Sequence, residues 1–166
     1  MMKALLLGLG NPILKDDSVG LKVVRELGEK VPKKDIDIEE ASLANMDLLE
    51  SIGSYDRLII VDSIKTEGGR PGELYQLGLD DLRSSLHLSS PHDINFAMAL
   101  ELGKRLDMPV PKEIRIYAIE IEDNQTFSET CSPSVEGAIL RIVEEIAEME
   151  HFDLQGPNSM IEDCRL

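Results

Sequence analysis

The chain has few of the residues that mark export, membrane insertion or a disulfide scaffold. It has no tryptophan, only two cysteines among 166 residues, and 4% aromatic residues. Two cysteines do not form a disulfide framework, so we expect a reducing compartment, the cytoplasm. No run approaches the roughly 20 apolar residues that a membrane-spanning helix needs, and the apolar start is too short for a signal peptide. The composition therefore predicts a cytoplasmic protein with no membrane partner.

Basic residues are scarce relative to acidic ones. The sequence has 17 lysines and arginines against 32 aspartates and glutamates, which gives a formal net charge of -15. Such a charge repels nucleic acids and anionic membranes, whose binding normally needs a basic patch. We therefore expect no nucleic-acid partner. Solubility alone explains much of the charge, and the remainder favours basic proteins, peptides or metal cations.

Short apolar runs alternate with amphipathic segments along residues 1–150. This alternation predicts an α/β fold, a three-layer αβα sandwich of the phosphorylase/hydrolase-like kind with a mostly parallel, twisted sheet of about five strands. A chain of this length forms one domain, which we place at residues 1–150, with residues 151–166 as a tail that is loose or docked. The predicted strands are residues 3–7, 36–40, 58–61, 73–77 and 113–121, and the main predicted helices are residues 16–30, 91–106 and 132–146.

The segment after the first predicted strand opens like a dinucleotide-binding loop but ends differently. Residues 8–20 have the sequence GLGNPILKDDSVG, whereas a Gly-x-Gly-x-x-Gly loop needs a third glycine where this chain has Ile13. The next helix opens with Asp16 and Asp17, whose carboxylates would repel a phosphate bound there. The loop is better suited to offer carboxylate oxygens to a metal or to a cationic partner.

Three potential metal ligands occupy positions that an α/β topology brings to one edge of the sheet. Asp17 follows the first strand, Asp62 ends the strand at residues 58–61, and His92 lies in the first turn of a helix. The ligand crevice of such sheets lies beyond the carboxyl ends of the strands. Two carboxylates and an imidazole suit zinc, nickel or a related ion, and three ligands leave positions open for a substrate group. Each residue also has a purely structural interpretation. Asp17, like Asp16, could cap its helix, and Asp62 could cap the turn after its strand. His92 could be an exposed residue in the first turn of its helix.

Four motifs resemble those of the nickel–iron hydrogenase maturation proteases, and the resemblance runs from residue 3 to about residue 147. The family's GxGNxLxxD(D/E)xxG opening is similar to residues 8–20, and its central Leu-Ile-Ile-x-Asp is similar to residues 58–62. Its Ser-x-His before a helix is similar to residues 90–92, and its Ser/Thr-Pro-x-Val-Glu helix start is similar to residues 132–136. Their order and spacing make the resemblance specific.

The resemblance implies an endopeptidase that removes the C-terminal extension of the hydrogenase large-subunit precursor after nickel insertion. Asp17, Asp62 and His92 would recognise nickel that the substrate carries, and Zn or Cd could occupy the same site. Nickel-insertion chaperones are implied as further partners. Water activation stays open between Lewis-acid action of the metal and a carboxylate base, either aspartate or Glu40. Glu40 begins a Glu-Ala-Ser segment where the family commonly has an acidic Gly-Gly segment.

Two other functions stay open at this point. A non-proteolytic nickel-binding or docking factor in hydrogenase assembly would keep the same three ligands and bind precursor without turnover. A generic metal-dependent hydrolase would act on small esters or amides and bind its metal tightly by itself.

Overall fold

The computed structural model of the chain describes residues 2–34, 36–41, 46–84 and 91–156, and the side chains of residues 46–48, 82–84 and 91–97 lie outside the description. The strands are β1 (Ala4–Leu9), β2 (Ile36–Ala41), β3 (Arg57–Ile64), β4 (Leu74–Leu77) and β5 (Glu113–Glu120). The helices are α1 (Val19–Lys30), α2 (Met46–Ile52), α3 (Leu79–Ser84), α4 (Pro91–Arg105), α5 (Pro133–Glu136) and α6 (Ile139–Glu150).

The five strands form one sheet in the order β2-β1-β3-β5-β4. β1 pairs in parallel with β2 and β3, and β3 pairs in parallel with β5, while β4 runs antiparallel along the β5 edge. The predicted α/β fold with a mostly parallel sheet of about five strands is confirmed. In this order β1 and β3 lie side by side at the centre, so the segments that follow them meet at one edge.

Both faces of the sheet are covered by helices, which is why the central strands are almost continuously apolar. Alternate residues of a strand point to opposite faces. Ile59 and Val61 of β3 pack with residues of α1 and α6, whereas Leu58 and Ile60 pack with residues of α2 and with Leu100 of α4. These two apolar layers make the predicted three-layer sandwich.

Several predicted boundaries differ from the structure, and three of the differences involve whole turns or several residues. The predicted helix at residues 16–30 begins as a 3-10 turn at Lys15–Ser18 and becomes an α-helix only at Val19. β3 does not end at Asp62 but continues to Ile64, because its last three residues pair with the end of β5. The last predicted helix is divided into α5 and α6. Asp62 is therefore a strand residue and not a turn cap.

The described part of the tail is docked. His151 ends α6 in a left-handed conformation, and Phe152 packs against the core on the α1 and α6 side. The backbone N–H of Gln155 donates to the carbonyl of Lys30 at 2.7 Å. Residues 157–166 of the predicted tail lie outside the described residues. Across the described ranges, no helix is long and apolar enough to cross a membrane.

Candidate functional site

The loop after β1 lies tightly over the ends of β1 and β3, and two glycines make this possible. Gly10 has a φ of 153°, and a Cβ there would lie 2.1 Å from the carbonyl oxygen of Asp17. A Cβ on Gly20, in the first turn of α1, would lie 2.5 Å from the carbonyl oxygen of Val61. These glycines allow close backbone packing, and they fix the segment carrying Asp17 against the carboxyl end of β3.

Asp17 is buried, and both of its carboxylate oxygens accept hydrogen bonds from outside its own helix. Oδ2 accepts the backbone N–H of Asn11 at 2.9 Å, and Oδ1 accepts the hydroxyl of Ser63 at 2.9 Å. Neither the 3-10 turn nor α1 has a side-chain N-cap hydrogen bond. The structure therefore uses Asp17 to join the loop to β3 and not to cap a helix.

Asp62 lies next to this contact on β3. It is buried, and its Oδ1 accepts the backbone N–H of Ser63 at 2.7 Å. Ser63 thus donates its backbone N–H to Asp62 and its hydroxyl to Asp17. Ser63, which carried no sequence motif of its own, therefore contacts both of the predicted aspartates.

His92 is the second residue of α4, and its side chain lies outside the described residues. By strand alternation Asp62 is on the same face of β3 as Leu58 and Ile60, and that face packs against α4 through Leu100. Among the described side chains, no group of three histidine, cysteine, aspartate or glutamate residues could hold a metal ion. The trio of Asp17, Asp62 and His92 stays a prediction.

Glu40, the further candidate base, lies on β2 beside Gly8 of β1. Its two carboxylate oxygens accept Arg25 Nε at 2.6 Å and an Arg25 terminal nitrogen at 2.9 Å. The pair is partly exposed and raises the pKa of Arg25 above its usual value, chiefly through this hydrogen bond. Glu40 is thus held by a guanidinium from α1, one strand further from β3 than the loop that carries Asp17.

Asp16 has a role that the sequence analysis missed. It is completely buried, and it accepts the backbone N–H groups of Glu122 at 3.1 Å and Asp123 at 2.9 Å. It also accepts the N–H of Ser132 at 2.6 Å and its hydroxyl at 2.8 Å. The prediction that Asp16 caps its own helix is wrong, since it holds the loop after β5 and the start of α5. Its partners are more than a hundred residues away, so no local pattern could identify them.

The remaining reactive side chains are not arranged for catalysis in the described part of the chain. Cys131 is buried, and burial raises the pKa of its thiol above the usual value, so that it is not an activated thiolate. His151 is exposed at the end of α6. His87, Ser90 and Cys164 lie outside the described residues.

Comparison with known proteins gives the family. A family model described as hydrogenase maturation protease matches residues 21–149, which is most of the chain. The chain belongs to the hydrogenase maturation protease family. The matched residues of this maturation protease include Asp62 and His92 and begin just after Asp17.

Individual relatives agree with this assignment. The chain is 26% identical over 152 residues to the hydrogenase 2 maturation protease of Escherichia coli strain K12, across 89% of this chain and 92% of that protein. It is similar to the structure of the hydrogenase maturating endopeptidase HybD from E. coli, with a TM-score of 0.77, 24% identity and coverage of 92% and 96% of the two chains. For the hydrogenase maturation protease HybD from Thermococcus kodakarensis the TM-score is 0.70, with 25% identity and coverage of 89% and 99%.

Family membership makes the chain a peptidase of hydrogenase maturation, which acts on hydrogenase precursors. The prediction of a peptidase is thereby confirmed, in preference to a non-proteolytic docking factor or a generic metal-dependent hydrolase.

Proposed function

We propose that this maturation protease removes the C-terminal extension of a nickel–iron hydrogenase large-subunit precursor after nickel insertion. Asp17, Asp62 and His92 recognise the nickel that the precursor carries. The observation that supports this proposal best is Ser63, which donates its hydroxyl to Asp17 and its backbone N–H to Asp62 and so links two buried carboxylates at the carboxyl end of β3. Nickel-insertion chaperones act on the same precursor one step earlier.

Two buried carboxylates at the same edge of the sheet favour a cation over an anionic group. Each oxygen of an ionised carboxylate has two lone pairs, so Asp17 can accept its present hydrogen bonds and still coordinate a metal. Carboxylate and imidazole are both suitable ligands for nickel. A precursor whose nickel has open positions would gain these ligands, whereas a precursor without nickel would offer them no metal to coordinate.

Peptide-bond cleavage needs one water molecule and a group that activates it. The water oxygen adds to the scissile carbonyl carbon, its proton passes to a base, and the C–N bond breaks as the leaving amine takes up a proton. Asp17 or Asp62 suits the base, since both lie at the site edge. Glu40 suits it less, because it is on β2, one strand further from β3, and is ion-paired with Arg25. Nickel on the substrate can also polarise the carbonyl.

The test compares nickel-loaded and nickel-free precursor as substrates, with the mass of the large subunit as the readout. The native chain should shorten only the nickel-loaded precursor. Asp62→Asn and His92→Ala should each slow this cleavage by about 100-fold or more, the range typical of a lost catalytic or ligand group. Asp37→Asn is the matched control, because Asp37 is an exposed carboxylate at the opposite edge of the sheet, on β2.

Two results would contradict the proposal. One is equal cleavage of nickel-free and nickel-loaded precursor by the native chain. The other is cleavage by Asp62→Asn and His92→Ala at the rate of the Asp37→Asn control.

A further inference from the structure

Two large apolar residues are exposed on neighbouring backbone segments near Asp17. Ile13, in the loop after β1, is 48% exposed, and Phe127, in the loop after β5, is 78% exposed. The backbone N–H of Ser128 donates to the carbonyl of Ile13 at 2.9 Å, and Leu14 and Ser128 form a parallel β-bridge. Ile13 and Phe127 therefore precede a bridged pair on adjacent segments. Exposed aromatic and aliphatic residues that lie together mark an interaction surface more than isolated ones do.

This pair is joined to Asp17 by a short chain of hydrogen bonds. The N–H of Ile13 donates to Asn11 Oδ1 at 3.1 Å, and the N–H of Asn11 donates to Asp17 Oδ2 at 2.9 Å. A polypeptide bound with its scissile bond at the aspartates extends several residues to either side, at about 3.3 Å per residue. It must therefore pass over neighbouring loops, and this pair is on one of them.

The loops that carry Ile13 and Phe127 are fixed to each other by further hydrogen bonds and an ion pair. Asp16 accepts two backbone N–H groups at the start of the loop that carries Phe127. Lys15 adds a backbone hydrogen bond to Ser128 at 3.0 Å and an ion pair with Asp123 at 3.4 Å. An exposed phenylalanine on a loop anchored in this way loses little further conformational freedom when it binds a partner.

We propose that Ile13 and Phe127 form a docking edge for the hydrogenase precursor, which binds the polypeptide beside the scissile bond whether or not nickel is present. The inference rests on the proposed function, since it takes the precursor as the occupant. Glu122 and Glu129 are exposed near Phe127, and the whole chain carries a net charge of -15. The matching segment of the precursor therefore has an apolar side chain flanked by basic residues.

Binding to nickel-free precursor tests the docking edge separately from cleavage. Purified precursor is titrated against the native chain, Ile13→Ser, Phe127→Ser and Leu106→Ser, and Kd is measured. Leu106 is the matched control, because it is 59% exposed and follows α4, at the opposite edge of the sheet. We expect Ile13→Ser and Phe127→Ser to weaken binding about tenfold each, which corresponds to about 1.4 kcal/mol. Leu106→Ser should stay within about twofold of the native Kd, a difference of less than about 0.5 kcal/mol.

Cleavage of nickel-loaded precursor should show the same ranking in KM, with kcat at saturating precursor nearly unchanged. The docking edge is refuted if the native chain does not bind nickel-free precursor. It is equally refuted if Ile13→Ser and Phe127→Ser bind the precursor as tightly as Leu106→Ser does. It is also refuted if Phe127→Ser only abolishes self-association of this chain and leaves Kd for precursor unaltered. If the native chain binds precursor through this edge but never cleaves it, the proposed function fails and the docking edge stands.

Discussion

Asp16 and Asp17 are neighbouring carboxylates with different surroundings, and substitution by alanine or asparagine should separate their roles. Asp16 is completely buried and accepts hydrogen bonds from three backbone N–H groups and one hydroxyl. Asp17 accepts two hydrogen bonds at the site edge. We expect Asp16 variants to lose folding stability and Asp17→Asn to lose processing activity while keeping most of its stability.

The size of the Asp16 effect follows from the groups left behind. Each buried donor without an acceptor costs about 1–3 kcal/mol. The hydroxyl of Ser132 can rotate towards another acceptor and water can reach part of the space, so two donors are the relevant number for Asp16→Ala. The free energy of unfolding should fall by about 2–6 kcal/mol, a large part of the about 5–15 kcal/mol that a typical domain has. For a chain of this size, this lowers Tm by about 4–24 °C.

Asp16→Asn should give an intermediate loss, because asparagine keeps one acceptor oxygen but places an NH₂ group among N–H donors. Thermal and urea unfolding, followed by far-ultraviolet circular dichroism, measure all three variants against the native chain. A Tm for Asp16→Ala within about 3 °C of native, less than about 1.5 kcal/mol, would show that the hydrogen bonds do not carry this stability. If Asp17→Asn lowered the stability to unfolding more than Asp16→Asn does, the roles assigned to the two residues would be wrong.

Two further predictions concern the backbone of the loop and the far end of the core. Gly10→Ala should lower the free energy of unfolding by about 2–4 kcal/mol and slow precursor cleavage, because the new Cβ would lie 2.1 Å from the carbonyl oxygen of Asp17. Gly68→Ala is the control and should have a smaller effect, because the space around Gly68 is open. Tyr117 is buried, and its hydroxyl donates a hydrogen bond to Glu150. Burial is the main cause that raises the pKa of Tyr117 above the ordinary value of 10, and this hydrogen bond is the second cause. Its neutral form therefore stabilises the fold fully below pH about 10 and progressively less as the pH rises. Absorbance at 295 nm in a pH titration should show that Tyr117 ionises only as the protein unfolds, and this absorbance change should be missing in Tyr117→Phe. Ionisation of Tyr117 near pH 10 in the folded protein would contradict the prediction.

The fold and part of the site could be predicted because they depend on local patterns. Continuous apolar runs at residues 4–7 and 58–61 require strands covered on both faces, and the connections between them require a parallel sheet. Parallel strands end at the same edge, so the segments that carry Asp17 and Asp62 could be assigned to one edge of the sheet from the sequence. The exact end of β3 could not be predicted, because Asp62 and Ser63 are polar and only their pairing with β5 keeps them in the strand.

The contacts that fix the site depend instead on residues far apart in the chain. Phe127 lies in a loop without periodicity, and its exposed position beside Ile13 follows from a bridge between residues 14 and 128. In the same way, nothing in two consecutive aspartates indicates which one has buried partners. Local sequence shows that a carboxylate is present, and the tertiary hydrogen bonds decide whether it is available to a ligand.

The loop after β1 contains two consecutive aspartates with separate roles. A functional side chain on a loop is not held by the regular backbone hydrogen bonds of a strand or a helix, so other contacts must fix its position. Asp17 lies in the 3-10 turn at Lys15–Ser18, and its position is set from two directions. Asp16 fixes the preceding residue to the loop after β5, and the contact of Gly10 with the carbonyl of Asp17 fixes the backbone from the β1 side. With its backbone held this way, Asp17 keeps its carboxylate beside Ser63. Asp16 is therefore a positioning residue, and changes at Asp16 should reach the site through the backbone of its neighbour.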